Sequence, residues 1–104
     1  MPEYIIAYRG GRKPATQEEG ARHMAKWKAW VADLGAAAIN PGTPLKNTRI
    51  VSATGVSEDS GPDPMSGFTI VSADSMDAAL EIARACPTLE LDGTLEVAEM
   101  VKMP

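Results

Sequence analysis

The feature that most constrains the fold is a strand–helix–strand pattern in the last third of the chain, residues 67–103. Residues 67–73 are rich in β-forming residues, residues 75–86 place apolar side chains at helical spacing, and residues 94–102 alternate as a strand does. An apolar strand at residues 4–8 and a helix with two tryptophans precede this pattern. The order predicts a β-α-β-β-α-β fold, and a fold alone does not name a reaction.

The predicted architecture is a single α+β domain over residues 1–104. Two successive β-α-β halves give a ferredoxin-like, four-stranded antiparallel sheet with both helices on one face. Residues 48–53 are the expected second strand, and the polar residues 55–66 are an expected loop. The open sheet face is too apolar to remain in water, so we expect a homodimer that forms through the sheet faces.

The first helix carries clear start and stop signals. Thr16 is the expected N-cap, Glu19 occupies the capping-box position, and Gly35 follows the last helical residue, Leu34. His23 and Trp30 lie on one edge of the predicted buried stripe. That stripe consists of Gly20, Met24, Trp27, Val31 and Leu34. Ser75 or Asp74 is the expected cap of the second helix.

Composition and charge exclude several classes of protein. The chain has no apolar run of membrane-spanning length and no basic, apolar leader, so we expect a cytoplasmic protein without a membrane partner. A lone cysteine, Cys86, agrees with a reducing compartment because it cannot pair within the chain.

Nucleic-acid binding is a rival that the residues do not support. Residues 66–73 loosely imitate the central strand of an RNA-recognition motif, but Phe68 is the only aromatic residue there and Ser66 stands in place of a basic one. Residues 51–104 hold ten acidic residues against two basic ones, which repels phosphates. We therefore expect no nucleic-acid partner.

Metal and phosphate sites are likewise not predicted. One histidine and one cysteine, without paired spacing, do not make a metal site. Gly10-Gly11 lacks the remainder of any phosphate-binding loop. No cofactor is expected.

Short segments spread over nearly the whole chain resemble one family when they are taken in order. They include Tyr4-Ile5-Ile6-Ala7-Tyr8, His23-Met24-Ala25-Lys26-Trp27, Gly42-Thr43-Pro44-Leu45, Gly67-Phe68, Ala73-Asp74-Ser75-Met76-Asp77-Ala78-Ala79, Cys86-Pro87 and Gly93-Thr94-Leu95-Glu96-Val97. Through these segments the chain resembles the YCII-related family of the dimeric α/β-barrel superfamily. The D-G-P-F signature of one branch is missing, because residues 58–63 differ there.

The resemblance implies a ferredoxin-like protomer, a dimeric α/β barrel and a small-molecule site. In some relatives a histidine of the first helix and an acidic residue before a proline look like a catalytic pair. His23 matches the first position, but Cys86 stands at the second. Many other relatives have a histidine just after the Cys-Pro pair, where this chain has Thr88.

His23 and Cys86 are the candidate catalytic residues. Antiparallel helices bring the start of the first near the end of the second, so these side chains are expected to be neighbours. A neutral imidazole is a usable general base near pH 7, and a nearby thiol can be activated by it. The alternative is that His23 is a boundary residue of the helix and Cys86 a small buried hydrophobe.

Tyr8, Arg9, Trp30 and Glu99 are the candidate ligand-binding residues. The first and last strands are adjacent in this fold, so Tyr8, Arg9 and Glu99 are expected to share a patch at one end of the sheet. Glu99 interrupts an apolar row, and Arg9 is its expected cation. The alternatives are an exposed strand end or surface ion pair for Glu99, and packing rather than ligand contact for Trp27 and Trp30.

Two functions remain open at this point. The first is binding of a small organic molecule near the dimer interface, with cofactor-free acid–base catalysis by His23. The second is a non-catalytic ligand-binding or accessory dimer. Neither the ligand nor the reaction follows from the residues.

Overall fold

The first strand is the centre of the sheet because it is apolar on both faces. In the computed structural model, which describes residues 1–104, β1 (Glu3–Gly10) lies between β5 (Met65–Ser72) and β6 (Gly93–Glu99), and β2 (Ala38–Asn40) extends the sheet beyond β5. Every pairing is antiparallel. With α1 (Gln17–Leu34) and α2 (Met76–Arg84), this arrangement confirms the predicted α+β fold with a four-stranded antiparallel sheet.

Both long helices begin at the residues that the sequence indicates. The Thr16 hydroxyl accepts a hydrogen bond from the amide of Glu19 at 3.0 Å, and the Ser75 hydroxyl accepts one from the amide of Ala78 at 3.2 Å. These caps satisfy amides that lack a partner within the helix. Gly35, with φ of 55°, ends α1 as predicted.

The core lies between one face of the sheet and both helices. Tyr4, Ile6, Tyr8 and Val71 from the sheet are buried together with Trp30 of α1 and with Ala79 and Ala83 of α2. Because side chains alternate along a strand, Ile5 and Ala7 point to the opposite face, which neither helix covers. The sheet thus has one packed face and one open face.

The second strand of the main sheet is not where the sequence placed it. Residues 38–40 pair with β5, whereas β3 (Ile50–Ser52) pairs only with β4 (Gly55–Ser57), which begins inside the expected loop. Ile50 and Val51 do form a strand, but its partner is the segment 55–57. The short turn at residues 53–54 brings that segment alongside. β2 is short and follows α1 through a 3₁₀ turn, so no alternation marks it.

None of the helices is both long enough and apolar enough to cross a membrane.

Candidate functional site

A cavity of about 620 Å³ opens at the end of the sheet where β1 leaves the core. Its walls come from the β1–α1 loop, the first half of α1, residues 42–45 and the 3₁₀-helix Pro87–Leu91. His23 is its one histidine, so we call it the His23 cavity. Its apolar lining is supplied by Met24, Trp27, Leu45, Phe68 and Leu91.

A glycine pair shapes the rim of the cavity. Gly10 and Gly11 have φ of 67° and 92°, the region that favours glycine. The chain therefore turns sharply out of β1, and the amide of Arg12 donates to the Leu91 carbonyl at 2.7 Å. This bond joins the β1–α1 loop to the 3₁₀-helix and closes one side of the cavity.

A chain of hydrogen bonds begins at Trp27 and Tyr8 on the floor of the cavity and continues behind it. The Trp27 indole N–H donates to the Tyr8 hydroxyl oxygen at 3.0 Å, and Tyr8 is hydrogen-bonded to the Thr69 hydroxyl. Thr69 donates its hydrogen to the Pro41 carbonyl at 2.9 Å. Since a hydroxyl has one hydrogen, Tyr8 must be the donor to Thr69. The order Trp27 to Tyr8 to Thr69 to Pro41 is thereby fixed.

The environment of Tyr8 keeps its phenol protonated. Burial raises the pKa of Tyr8 to about 12, the nearby Cys86 thiol acts in the same direction, and the hydrogen bonds that Tyr8 shares with Thr69 and Trp27 oppose the rise only partly. Tyr8 is therefore a neutral hydroxyl at the floor of the cavity.

His23 stands between this cavity and a second, charged depression. The charged groove, of about 170 Å³, is lined by Arg12, Glu19, Arg22, Lys26 and Glu90, and His23 contributes to both walls. The Nδ1 atom of His23 is shielded from solvent and has no hydrogen-bond partner. No carboxylate therefore orients the imidazole through Nδ1, as the third member of a catalytic triad would.

Ion pairs build the charged groove. Arg12 contacts Glu19 at 2.8 Å and Asp92 at 3.4 Å, and Lys26 contacts Glu90 at 3.1 Å. The hydrogen bond from Arg12, followed by that from the Ala15 amide, lowers the pKa of Glu19 from its ordinary 4.5 to about 2. These contacts hold the β1–α1 loop and the 3₁₀-helix against α1.

Cys86 is not hydrogen-bonded to His23 in the structure. Its thiol is 2% exposed, lies in the core and donates to the Thr88 hydroxyl at 3.5 Å. Thr88 lines the His23 cavity, but Cys86 lies behind it. No hydrogen bond joins Cys86 to His23, because Cys86 follows the end of α2, where it is buried in the core and bonded to Thr88.

Tyr8, Arg9 and Glu99 do not form one patch. β6 pairs with β1 so that Glu99 lies opposite Tyr4 and Thr94 lies opposite Arg9. Glu99 is therefore about 13 Å along the strand from the Tyr8 position, at roughly 3.3 Å per residue, and it is exposed. Of the three, only Tyr8 lines the His23 cavity.

Trp30 also lies away from the cavity. Its side chain is buried between the helices, and its indole N–H donates to the Ile82 carbonyl at 3.1 Å. Trp27, one turn earlier, is the tryptophan that lines the cavity. The sequence placed Trp27 in the buried stripe and Trp30 on its edge, but it could not say which indole packs against α2.

Several cavity residues were not among the predicted site residues. Besides Trp27, they include Met24, Phe68, Thr88 and the segment 42–45. Gly42 was the one signal in the sequence for the segment 42–45. Its φ of 80° and its close approach to Phe68 need a glycine. No group of three or more His, Cys, Asp or Glu side chains is placed to hold a metal ion.

Comparisons with known proteins agree with this fold. The model of the YCII-related domain family matches residues 5–104. A similar solved structure is 5-chloro-2-hydroxyhydroquinone dehydrochlorinase from Burkholderia phenoliruptrix AC1100, in complex with 2,5-dihydroxybenzoquinone. It has 21% sequence identity and a TM-score of 0.55, and the match covers 91% of this chain and 90% of the other. No curated protein sequence matches the chain.

Proposed function

The chain belongs to the YCII-related domain family, and from that premise we propose that it binds a small organic molecule in the His23 cavity. The observation that carries the proposal is the cavity itself: about 620 Å³, with an apolar wall of aromatic and aliphatic side chains, one imidazole, one buried phenol, and the polar side chains of Arg12, Lys13 and Thr88. Volumes of about 300–1,000 Å³ with few polar groups are typical of small-molecule sites. The similar dehydrochlorinase was solved with a small organic molecule bound.

A thermal-shift screen against a metabolite panel tests this proposal. A ligand that binds only the folded state raises its stability by about 2.7 kcal/mol at a hundred times its Kd. We expect at least one compound to raise the Tm of the native protein and to lose most of that effect in His23→Ala. Lys28→Ala is the matched control, because Lys28 is exposed on the same helix and lines neither depression. A panel that shifts nothing contradicts the proposal.

Cofactor-free acid–base catalysis is the second candidate function. His23 supplies the one imidazole of the cavity, and an imidazole is the side chain that most often serves as a general base, as a lyase or isomerase step would need. The missing partner at Nδ1 favours binding without turnover as the first candidate. Incubating the identified ligand with the native protein and with His23→Gln separates the two. Turnover that is lost in the variant supports catalysis, whereas an unchanged ligand supports binding alone.

We also propose that two copies pair through the open sheet face. Ile5 lies beside Ile70 and Ala98, and Ala7 lies beside Phe68, so this face presents an apolar patch that neither helix covers. Phe68 also lines the His23 cavity, which would place the cavity beside the interface. Light scattering at micromolar concentration should give twice the mass of one chain, and Ile70→Glu should give the mass of one. A monomeric native protein contradicts this proposal.

A further inference from the structure

The charged groove contains one cation that the protein leaves without a partner. No carboxylate lies within ion-pair distance of Arg22. Glu19 is an electrostatic neighbour of Arg22, but Oε1 of Glu19 accepts from Arg12 and from the Ala15 amide, and Oε2 accepts from Arg12. Both oxygens of Glu90 accept from Lys26. The acceptors in the groove are thus committed, and the Arg22 guanidinium is not.

The His23 cavity repeats this imbalance. Arg12, which is paired with Glu19 and Asp92, and Lys13 are the charged residues of its lining, and no carboxylate lines it. Lys13 makes no ion pair. The chain as a whole has a net charge of −4, so a site bordered by unpaired cations departs from the rest of the molecule. A local positive potential in an acidic protein favours anions at that position.

From these observations we infer that the His23 cavity and the charged groove form one bipartite site for an organic anion. The apolar body of the ligand lies in the cavity against Trp27 and Phe68, and its carboxylate reaches past His23 to Arg22. A guanidinium offers paired N–H donors that match the two oxygens of a carboxylate. This inference rests on the proposed function, since it names the class of ligand for the same cavity.

Two indole signals make the test specific. In a ¹H–¹⁵N spectrum the Trp27 indole reports on the cavity, and the Trp30 indole, bonded to Ile82 outside it, is an internal control. The probes are small aromatic carboxylic acids, each paired with its primary amide. The acid is ionised at pH 7, whereas the amide has a similar shape without the charge. Titrations compare the native protein with Arg22→Gln and with Lys28→Gln, which removes one charge from the same helix outside the site.

We expect the acids to bind the native protein about fivefold more tightly than their amides and to move the Trp27 signal while leaving Trp30 in place. The preference should disappear in Arg22→Gln, persist in Lys28→Gln and weaken at high salt. Equal binding of acids and amides, or a preference that survives in Arg22→Gln, overturns the anion inference and leaves the proposed function standing. If no probe moves the Trp27 signal at millimolar concentration, the proposed function fails together with the inference.

Discussion

The indole N–H of Trp27 and the hydroxyl oxygen of Tyr8 lie 3.0 Å apart and join α1 to the central strand. The two residues are 19 positions apart in the sequence. Tyr8 belongs to the apolar strand and Trp27 to the apolar stripe of the first helix, so neither pattern predicts a polar contact between them. Their contact places a polar link at the boundary between the core and the His23 cavity. The stability of the fold and the shape of the cavity therefore depend on the same bond.

Tyr8→Phe should destabilise the protein by about 1–3 kcal/mol, because the Trp27 N–H loses its acceptor in a partly buried position. Urea unfolding measures the loss. Tyr4→Phe is the matched control: Tyr4 is also buried on β1, but its hydroxyl makes no hydrogen bond within the protein. Equal losses in the two variants would show that the Tyr8 bond adds nothing.

The protein should lose stability in alkali through Tyr8. Its pKa is about 12 in the folded state against an ordinary 10.0, so the neutral phenol favours folding. This contribution is complete below pH 10 and disappears as the pH rises from 10 to 12. The free energy of unfolding should fall over that interval, and it should fall less in Tyr8→Phe. Parallel curves for the two proteins would contradict the prediction.

Protonation of Glu19 should cause part of the stability loss in acid. Its folded pKa of about 2 lies below the ordinary 4.5, so its contribution is present above pH 4.5 and is lost as the pH falls toward 2. The ¹³C shift of the Glu19 carboxyl measures the pKa directly. Glu19→Gln should flatten the stability profile in this range, whereas Glu18→Gln, at a position without an ion pair, should not. A Glu19 titration midpoint near 4.5 would refute it.

Gly42→Ala should open the cavity wall. A Cβ atom there would lie 1.6 Å from the Phe68 carbonyl oxygen, so the segment 42–45 must move away from β5. We expect a cost of about 2–4 kcal/mol. Gly61→Ala is the control, since Gly61 has a similar φ of 83° but open space around it, and its cost should stay near 1 kcal/mol. Similar costs at both positions would contradict the prediction, because the contact with Phe68 would then add nothing to the cost of a side chain at position 42.

The Cys86 thiol should react slowly with thiol reagents in the folded protein. It is 2% exposed and belongs to the core cluster, so reaction requires an opening of the structure. The rate should rise strongly in urea, and Cys86→Ala should retain ligand binding. Fast modification of the native protein would restore Cys86 as a candidate nucleophile.

The sequence predicts the parts of the fold that rest on local chemistry. Thr16 and Ser75 begin the two helices through their hydroxyl caps, Gly35 ends the first through its backbone freedom, and none of these signals needs a distant partner. The apolar residues 4–8 likewise indicate a central strand, because a run that is apolar on both faces favours a position with a paired neighbour on each edge.

The remaining features depend on partners that lie far away in the chain. Glu99 interrupts an apolar row, but only the register with β1 shows that it lies beside Tyr4 at an exposed strand end. Trp30 is buried because α2 offers it the Ile82 carbonyl. His23 was identified from its chemistry, whereas the cavity beside it depends on the segment 42–45, which reaches β5 through a single bridge between Pro44 and Gly67.

The hydrogen-bond chain from Trp27 to Pro41 also limits how the cavity can be altered. It ties α1, β1, β5 and the segment before Gly42 together, so a substitution at any of its members deforms several walls at once. Met24, Leu45 and Phe68 line the same cavity without belonging to that chain. New ligand preferences should therefore arise by exchange of these three side chains, in evolution or in the laboratory, while the polar floor is inherited unchanged.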